Sequence, residues 1–457
     1  MQDTSAVGTE PAKPTVVAID MGYGHLRPAR NLATMIGTPV LHADLPPLAD
    51  AEEQKGWATT RGFYETISRI SAAPWLGPPF RAALNAATSI PPLHPFRDLS
   101  RRTIGVRLIE HSARRGLGRS MVAHLQETNS ALVTTFYSPA VFADFHGYDR
   151  IYCIVTDSDV NRVWAPIEPR QSKIRYLAPS GRLVRRLRAY GVSKDQVELT
   201  GFPLPHSLLG GPDLAALKKN LLPRLVRLDP NGVFRHQFMG ELEALGPLPD
   251  PREPPHVAFA VGGAGAQSGM ASRFLPSLRE MLTSGRLRLT LVAGTKREVR
   301  DFFETELERA KLTTELGRSV RVLYEPNVDN YFDRFDELLA DVDVLWTKPS
   351  ELTFYGALGL ALVFAPPIGV HEDYNQRWAL ENGAGLRQRD PDVASEWLGE
   401  WLSDGTLAAC AWAGHKRLPC RGLYRILERL GCPVERSPSA LRANGANSDS
   451  ILPASGI

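Results

Sequence analysis

Residues 347–385 read TKPSELTFYGALGLALVFAPPIGVHEDYNQRWALENGAG, and their order decides the fold. The run before Lys348, DVDVLWT (341–347), is apolar and β-branched, as in a parallel strand covered on both faces. A tight turn follows. LTFYGALG (352–359) then reads as a helix, LVFAP (362–366) as the next strand, and HEDYNQRW (371–378) as an acidic loop after it. Strand, turn, helix, strand is the unit of a Rossmann-like half, which holds nucleotides at the carboxyl ends of its strands. An amide-rich helix start at such a crevice suits a diphosphate.

Working outward, the same unit recurs at TVVAID (15–20), which runs into GYGH (22–25) and a helix-like PARNLATMI, and again at HVAFAVGGAGA (256–266). Further strands are predicted at 130–135, 150–156, 173–178, 287–294 and 319–324. The fold class expected is therefore α/β, with two Rossmann-like parallel-sheet domains facing across a cleft. The boundaries read as a tail over 1–13, a first domain over 14–205, a linker or insertion over 206–255, a second domain over 256–418, a closing helix over 419–435, and a polar tail over 436–457.

Composition narrows the function classes. The 457 residues, 43% hydrophobic with 38 Gly and 36 Pro, suffice for two cores. A net charge of +3 gives no reason to propose nucleic acid as a partner. Cys153, Cys410, Cys420 and Cys432 show no metal-ligand spacing, and no signal-like or membrane-spanning apolar run is present, so a cytoplasmic protein is expected.

Several clusters carry possible chemistry. Gly22 and Gly24 permit a tight turn, and His25 beside them, with an ordinary pKa near 6.5, suits proton abstraction from an acceptor hydroxyl; capping of the first helical turn is the alternative. Asp157 and Asp159 follow another strand and suit hydroxyl binding or orientation of His25, with Trp164 as a stacking face; helix capping fits them equally. Gly262, Gly263 and Gly265 form a turn suited to phosphate, although neither P-loop nor dinucleotide fingerprint is complete. His371, Glu372 and Asn375 suit sugar hydroxyls, and no metal spacing accompanies them. Arg101, Arg102, Arg107, Arg114 and Arg115, within the Arg97–Arg119 region and shortly after APWLGPPF (73–80), suit an anionic membrane surface or acceptor, or a solvated helix face. Arg182, Arg185, Arg186 and Arg188 read as a solvated face.

These residues resemble the inverting GT-B glycosyltransferases, the family of the diacylglycerol galactosyltransferase and the lipid II GlcNAc transferase. GYGHLRPA (22–29) is similar to the family's N-terminal glycine turn, and Thr156 with Asp157 to its Thr-Asp. APS (178–180) and TGFP (200–203) look like its later segments. Thr347, Lys348, Pro349 and Ser350 look like its TKPG signature. The resemblance implies a hexosyltransferase-type enzyme moving sugar with inversion from a nucleotide-sugar donor, UDP-linked, to a small-molecule or lipid acceptor, with no cofactor beyond the nucleotide sugar and no obligatory metal. It implies His25 as base and Asp157 as its helper. Donor contacts would come from Gly262, Gly263, Gly265, Lys348, Ser350, Glu351, Thr353, His371, Glu372 and Asn375, and acceptor-side contacts from Gly22, Gly24 and Trp164. A peripheral position at the inner face of a membrane is implied as well. One departure stands out: where the family bears a ribose-reading Glu three residues after the Thr, this chain has Gly356, with Glu351 one turn away. A non-catalytic nucleotide-sugar binder and a nucleotide-sugar 2-epimerase are the alternative readings.

Overall fold

The computed structural model describes residues 12–59, 89–250, 253–262, 265 and 267–434. The two predicted tails lie largely outside them, as do 73–80 and Gly263. Two six-stranded sheets, every pairing parallel, make up the framework. In chain order the strands are β1 Thr15–Ala18, β2 Val40–His42, β3 Leu132–Thr134, β4 Ile151–Ile154, β5 Ile174–Ala178 and β6 Val197–Leu199, then β7 His256–Ala260, β8 Arg288–Gly294, β9 Val320–Tyr324, β10 Val344–Thr347, β11 Ala361–Phe364 and β12 Gly385–Arg387.

The first sheet runs β2-β1-β3-β4-β5-β6 and the second β12-β11-β10-β7-β8-β9. Counted within its own half, the second is the doubly wound order 3-2-1-4-5-6, and the first extends the order 2-1-3-4-5. Each sheet thus reverses direction at one place, between β1 and β3 and between β7 and β10. Connections leaving opposite faces part there and open a crevice at the carboxyl ends.

Alternation along the strands sorts side chains into three cores. Val17 packs on one side of the first sheet with Tyr137, Phe142 and Leu187. Val257, Phe259, Val344 and Trp346 pack on one side of the second with Phe274 and Trp397. Their neighbours Val16 and Ala18, Ala258 and Ala260, and Leu345 all join a third core, continuous across both sheets and filled by Leu32, Phe335, Phe354 and Leu427. The two lobes therefore share apolar burial, the dominant favourable term in folding.

Three strands escaped the sequence reading: β2, β6 and β12. Each is three residues long and stands at a sheet edge, so none carries the continuous apolar run of a strand buried on both faces. The region 206–255 holds the helices His206–Leu209, Ala215–Arg227 and Val233–Glu243. The middle one is fastened to the second lobe by Arg224, buried, whose guanidinium donates to the carbonyls of Val342, Leu339 and Leu358.

Candidate functional site

Both switch points carry the residues singled out from the sequence. At the first, β1 ends in the turn to helix Tyr23–Ile36, which delivers His25 on its first turn, while β3 delivers Thr135 alongside. The His25 Nδ1 lies 3.0 Å from the Thr135 carbonyl oxygen and 3.1 Å from the Thr156 hydroxyl, and the Thr135 hydroxyl donates back to the His25 carbonyl. A carbonyl only accepts, so Nδ1 carries the proton and Nε2 holds the free lone pair. Phe136 packs edge-on to the ring at 4.7 Å and Trp164 lies 6.1 Å away. Burial pushes the His25 pKa below 6.5, outweighing the opposing attraction of Asp157, the Thr135 carbonyl and Glu351. Thr135 and Phe136 were not predicted; a strand-end Thr carries no signal until its neighbour strand is known.

Asp157 and Asp159 part company. The Asp159 carboxylate is wholly buried and grips Arg186 at 2.7 and 3.0 Å and Arg182 at 2.6 Å, so it is structural. The solvated face expected for the Arg182–Arg188 cluster holds for Arg185 and Arg188, which are exposed, and is corrected for the other two: Arg186 is fully buried, and Arg182 sits 4.9 Å over the Tyr374 ring. Asp157 instead accepts at 2.9 Å from Asn375 of the other lobe. Trp164 is buried against Tyr137 and Phe136, with its ring beside that of His25.

At the second switch point, β7 leads into Gly262 and β10 into Lys348. Gly262 has φ +74°, a left-handed conformation that favours glycine, and a Cβ there would lie 2.9 Å from Lys348 Cε, which crosses close over the turn. Gly265, also left-handed at φ +66°, packs against Val299. Lys348 Nζ reaches Glu372 Oε1 at 2.5 Å, and Glu372 Oε2 accepts from the Ile368 amide at 2.7 Å. Burial raises the Glu372 carboxyl, but Lys348 and that amide outweigh it and hold it below the ordinary range.

The expected acidic loop is the opening of helix Val370–Glu381: the first-turn carboxylates Glu372 and Asp373 suit its positive end. His371 is exposed there, and Asn375 is fully buried. The expected helix after Ser350 is a 3-10 segment, Glu351–Leu358, with every residue buried. It is buried all round, its polar residues Glu351 and Thr353 included, and so has no solvated face of the kind an exposed helix carries. Ser350 stands at its start, and the Thr353 hydroxyl finds no hydrogen-bond partner among the described residues.

Two expectations about this segment change. A Cβ on Gly356 would meet Leu362 and Leu418 at 3.1 Å and Ala384 at 3.5 Å, and one on Gly414 would lie 2.5 Å from the Gly356 carbonyl. Gly356 therefore faces the core under helix Thr406–Arg417, where a carboxylate reading a ribose has no place. Glu351, the suggested substitute, is buried and bound to Arg27 of the first lobe at 3.0 Å. Gly24 makes room for this, since a Cβ there would approach Glu351 Oε2 to 3.1 Å. Arg27 itself lies 4.5 Å over Phe335 and 5.0 Å over Phe332.

No family model and no curated protein matches the chain. Among solved structures it is similar to MurG of Acinetobacter baumannii, at 12% identity over 92% of this chain and 99% of that one, with a TM-score of 0.49. It is similar also to the UDP-GlcNAc 2-epimerase of Neisseria meningitidis bound to UDP-GlcNAc, at 9% identity over 73% and 83%, TM-score 0.44. A third is the glycosyltransferase SnogD of Streptomyces nogalater, at 14% identity over 92% and 99%, TM-score 0.44. At such identities the reading of a reaction rests on the geometry of the site itself.

Proposed function

We propose that the protein is a glycosyltransferase that moves a sugar from a nucleotide diphosphate donor, UDP-linked, to an acceptor hydroxyl by a single inverting displacement. The observation that carries this reading is the meeting of two switch-point crevices. One holds a neutral histidine with a fixed tautomer, the other a glycine turn crossed by a lysine, and a hydrogen bond from Asn375 to Asp157 joins them. The donor's diphosphate would lie on the turn from Gly262 to Gly265 with Lys348 as its cation, and the departing charge would be met by that lysine and the turn amides with no obligatory metal. Ser350 and Thr353 border this position, and His371 and Glu372 stand where the sugar would sit. His25 Nε2 would take the acceptor proton as the bond to the anomeric carbon forms and the bond to the diphosphate breaks.

An acceptor held at a membrane surface fits the first lobe. Phe96, Ile104 and Leu108 are exposed at 68%, 73% and 50%, beside exposed Arg101, Arg107 and Arg115. Arg102 and Arg114 are engaged by Glu110 and take no part. Sedimentation with anionic against neutral vesicles tests this, and equal recovery with both would remove the membrane from the reading.

The test of the main reading is calorimetric titration with UDP and UDP-sugars, paired with transfer assays on wild type and His25→Ala. Binding of UDP, with transfer lost by about 10²–10⁴-fold in the variant, is expected. The non-catalytic alternative draws on one observation, that Glu351 is spent on Arg27 and Gly356 on packing, which leaves no carboxylate of the 3-10 segment for a ribose. UDP binding without transfer to any acceptor would select it. Release of UDP in the absence of an acceptor would favour the epimerase.

A further inference from the structure

The base and its helper are not completed by one lobe. Asp157 follows β4 in the first lobe, yet the carboxylate is held by Asn375 Nδ2 of helix Val370–Glu381 in the second, at 2.9 Å. The other amide atom is used as well: Asn375 Oδ1 accepts from the Ser158 backbone N–H at 2.7 Å. Asn375 is fully buried and Asp157 half-buried, so the bond from Ser158 is made away from water and the bond to Asp157 is partly shielded from it, where both are costly to lose. One turn earlier on the same helix, Glu372 binds Lys348 and the Ile368 amide. A single helix end thus ties the donor-side lysine to the carboxylate whose charge acts on His25.

We propose that Asn375 is a positioning residue: it holds Asp157 in place beside His25 from the opposite lobe, so the base is fully assembled only while the lobes are docked. This rests on the glycosyltransferase reading for its purpose. Coupling base assembly to lobe docking keeps His25 from activating water against a donor held in an open cleft. Asn375 is then a bridge between lobes, with both its amide atoms engaged by the first lobe.

The test uses full-length protein and has a readout that does not depend on activity. The charged and titratable groups facing His25 are Asp157, Glu351 and His371, of which the two carboxylates raise its pKa and His371 lowers it. If Asn375 holds Asp157 in place, Asn375→Ala frees that carboxylate, and the His25 midpoint followed by NMR moves to lower pH. Asp157→Asn should move it the same way, and the double variant should add nothing beyond the single ones. Where the Ala variant loses its near-ultraviolet dichroism, Asn375→Gln, whose amide is displaced by one methylene, should give a downward shift too. An unchanged midpoint in a folded Asn375 variant, or a double variant whose shift is the sum of the two, overturns the proposal. In turnover, Asn375→Ala should lower kcat by about 10-fold or more while UDP-sugar affinity stays within about 2-fold. The reverse split, with affinity lost and kcat kept, would make Asn375 a sugar-reading residue and overturn the bridge. Failure to bind any nucleotide would sink the glycosyltransferase reading and leave the His25 titration to decide the bridge.

Discussion

His25 owes its character to a carbonyl. Thr135 fixes the proton on Nδ1, and burial favours the neutral ring, so the residue is a base below the pH at which a free histidine would be. The acid limb of kcat/KM is expected below pH 6.5, and a limb above that value would remove His25 as the base. The stability consequence has the matching sign. The unfolded chain takes up the His25 proton first, so this group withdraws stability as pH falls from 6.5 toward its folded pKa. Gly356 gives the other prediction at this scale. Introducing Gly356→Glu forces a carboxylate between Leu362 and Leu418, and a loss of roughly 3 kcal/mol or more is expected in urea unfolding. A gain in nucleotide affinity without that loss would return position 356 to the donor site.

Among the elements, helix Tyr23–Ile36 meets helix Val328–Asp341 and the 3-10 segment across the lobes. The polar contacts that this helix makes with the second lobe differ in worth. Arg30 pairs with Asp329 and Asp333 in the open, where such pairs contribute little, so Arg30→Ala should cost under about 1 kcal/mol. Tyr23 bonds Thr295 at 2.6 Å and packs edge-on to Phe332. Arg27 and Glu351 are both buried, and Arg27→Met leaves a buried carboxylate without its cation, a loss of about 3–5 kcal/mol. Replacing both, Arg27→Met with Glu351→Gln, should recover most of it. Denaturant curves on the three variants decide whether the junction is held by burial or by surface charge. The strands show how legibility follows burial. Central strands such as VLWT (344–347) announce themselves because both faces are covered, while the edge strands β2, β6 and β12 become strands only through the neighbour they pair with.

Across the whole molecule, the shared core between the sheets brings one ionisable group to an unusual place. Asp336, on helix Val328–Asp341, is buried beside Arg27 and accepts from the Ser207 hydroxyl at 3.2 Å. Burial raises its pKa from an ordinary 3.8 to about 6 against the pull of Arg27. The folded protein therefore binds this proton more tightly than the unfolded chain, and the stability it contributes is present below 3.8 and lost as pH rises through about 6. That difference corresponds to a cost of about 3 kcal/mol at neutral pH, so Asp336→Asn should raise the melting temperature at pH 8 and leave it unchanged near pH 4. Calorimetry at the two pH values checks the sign.

What the sequence determined by itself was the α/β class, two halves each opening with a glycine turn, and the placement of His25, Asp157, Gly262 and Lys348 near strand ends. All of these follow from local periodicity and from the need of strand-to-helix turns for glycine. What only the tertiary structure decided was partnership. Asp159 and Asp157 stand two residues apart in equally polar text, yet one is consumed by Arg186 and the other faces the opposite lobe. Gly356 and Glu351 likewise both lost their expected link to a ribose, because a side chain's role is set by what packs against it, and those neighbours come from distant positions such as Leu418 and Arg27.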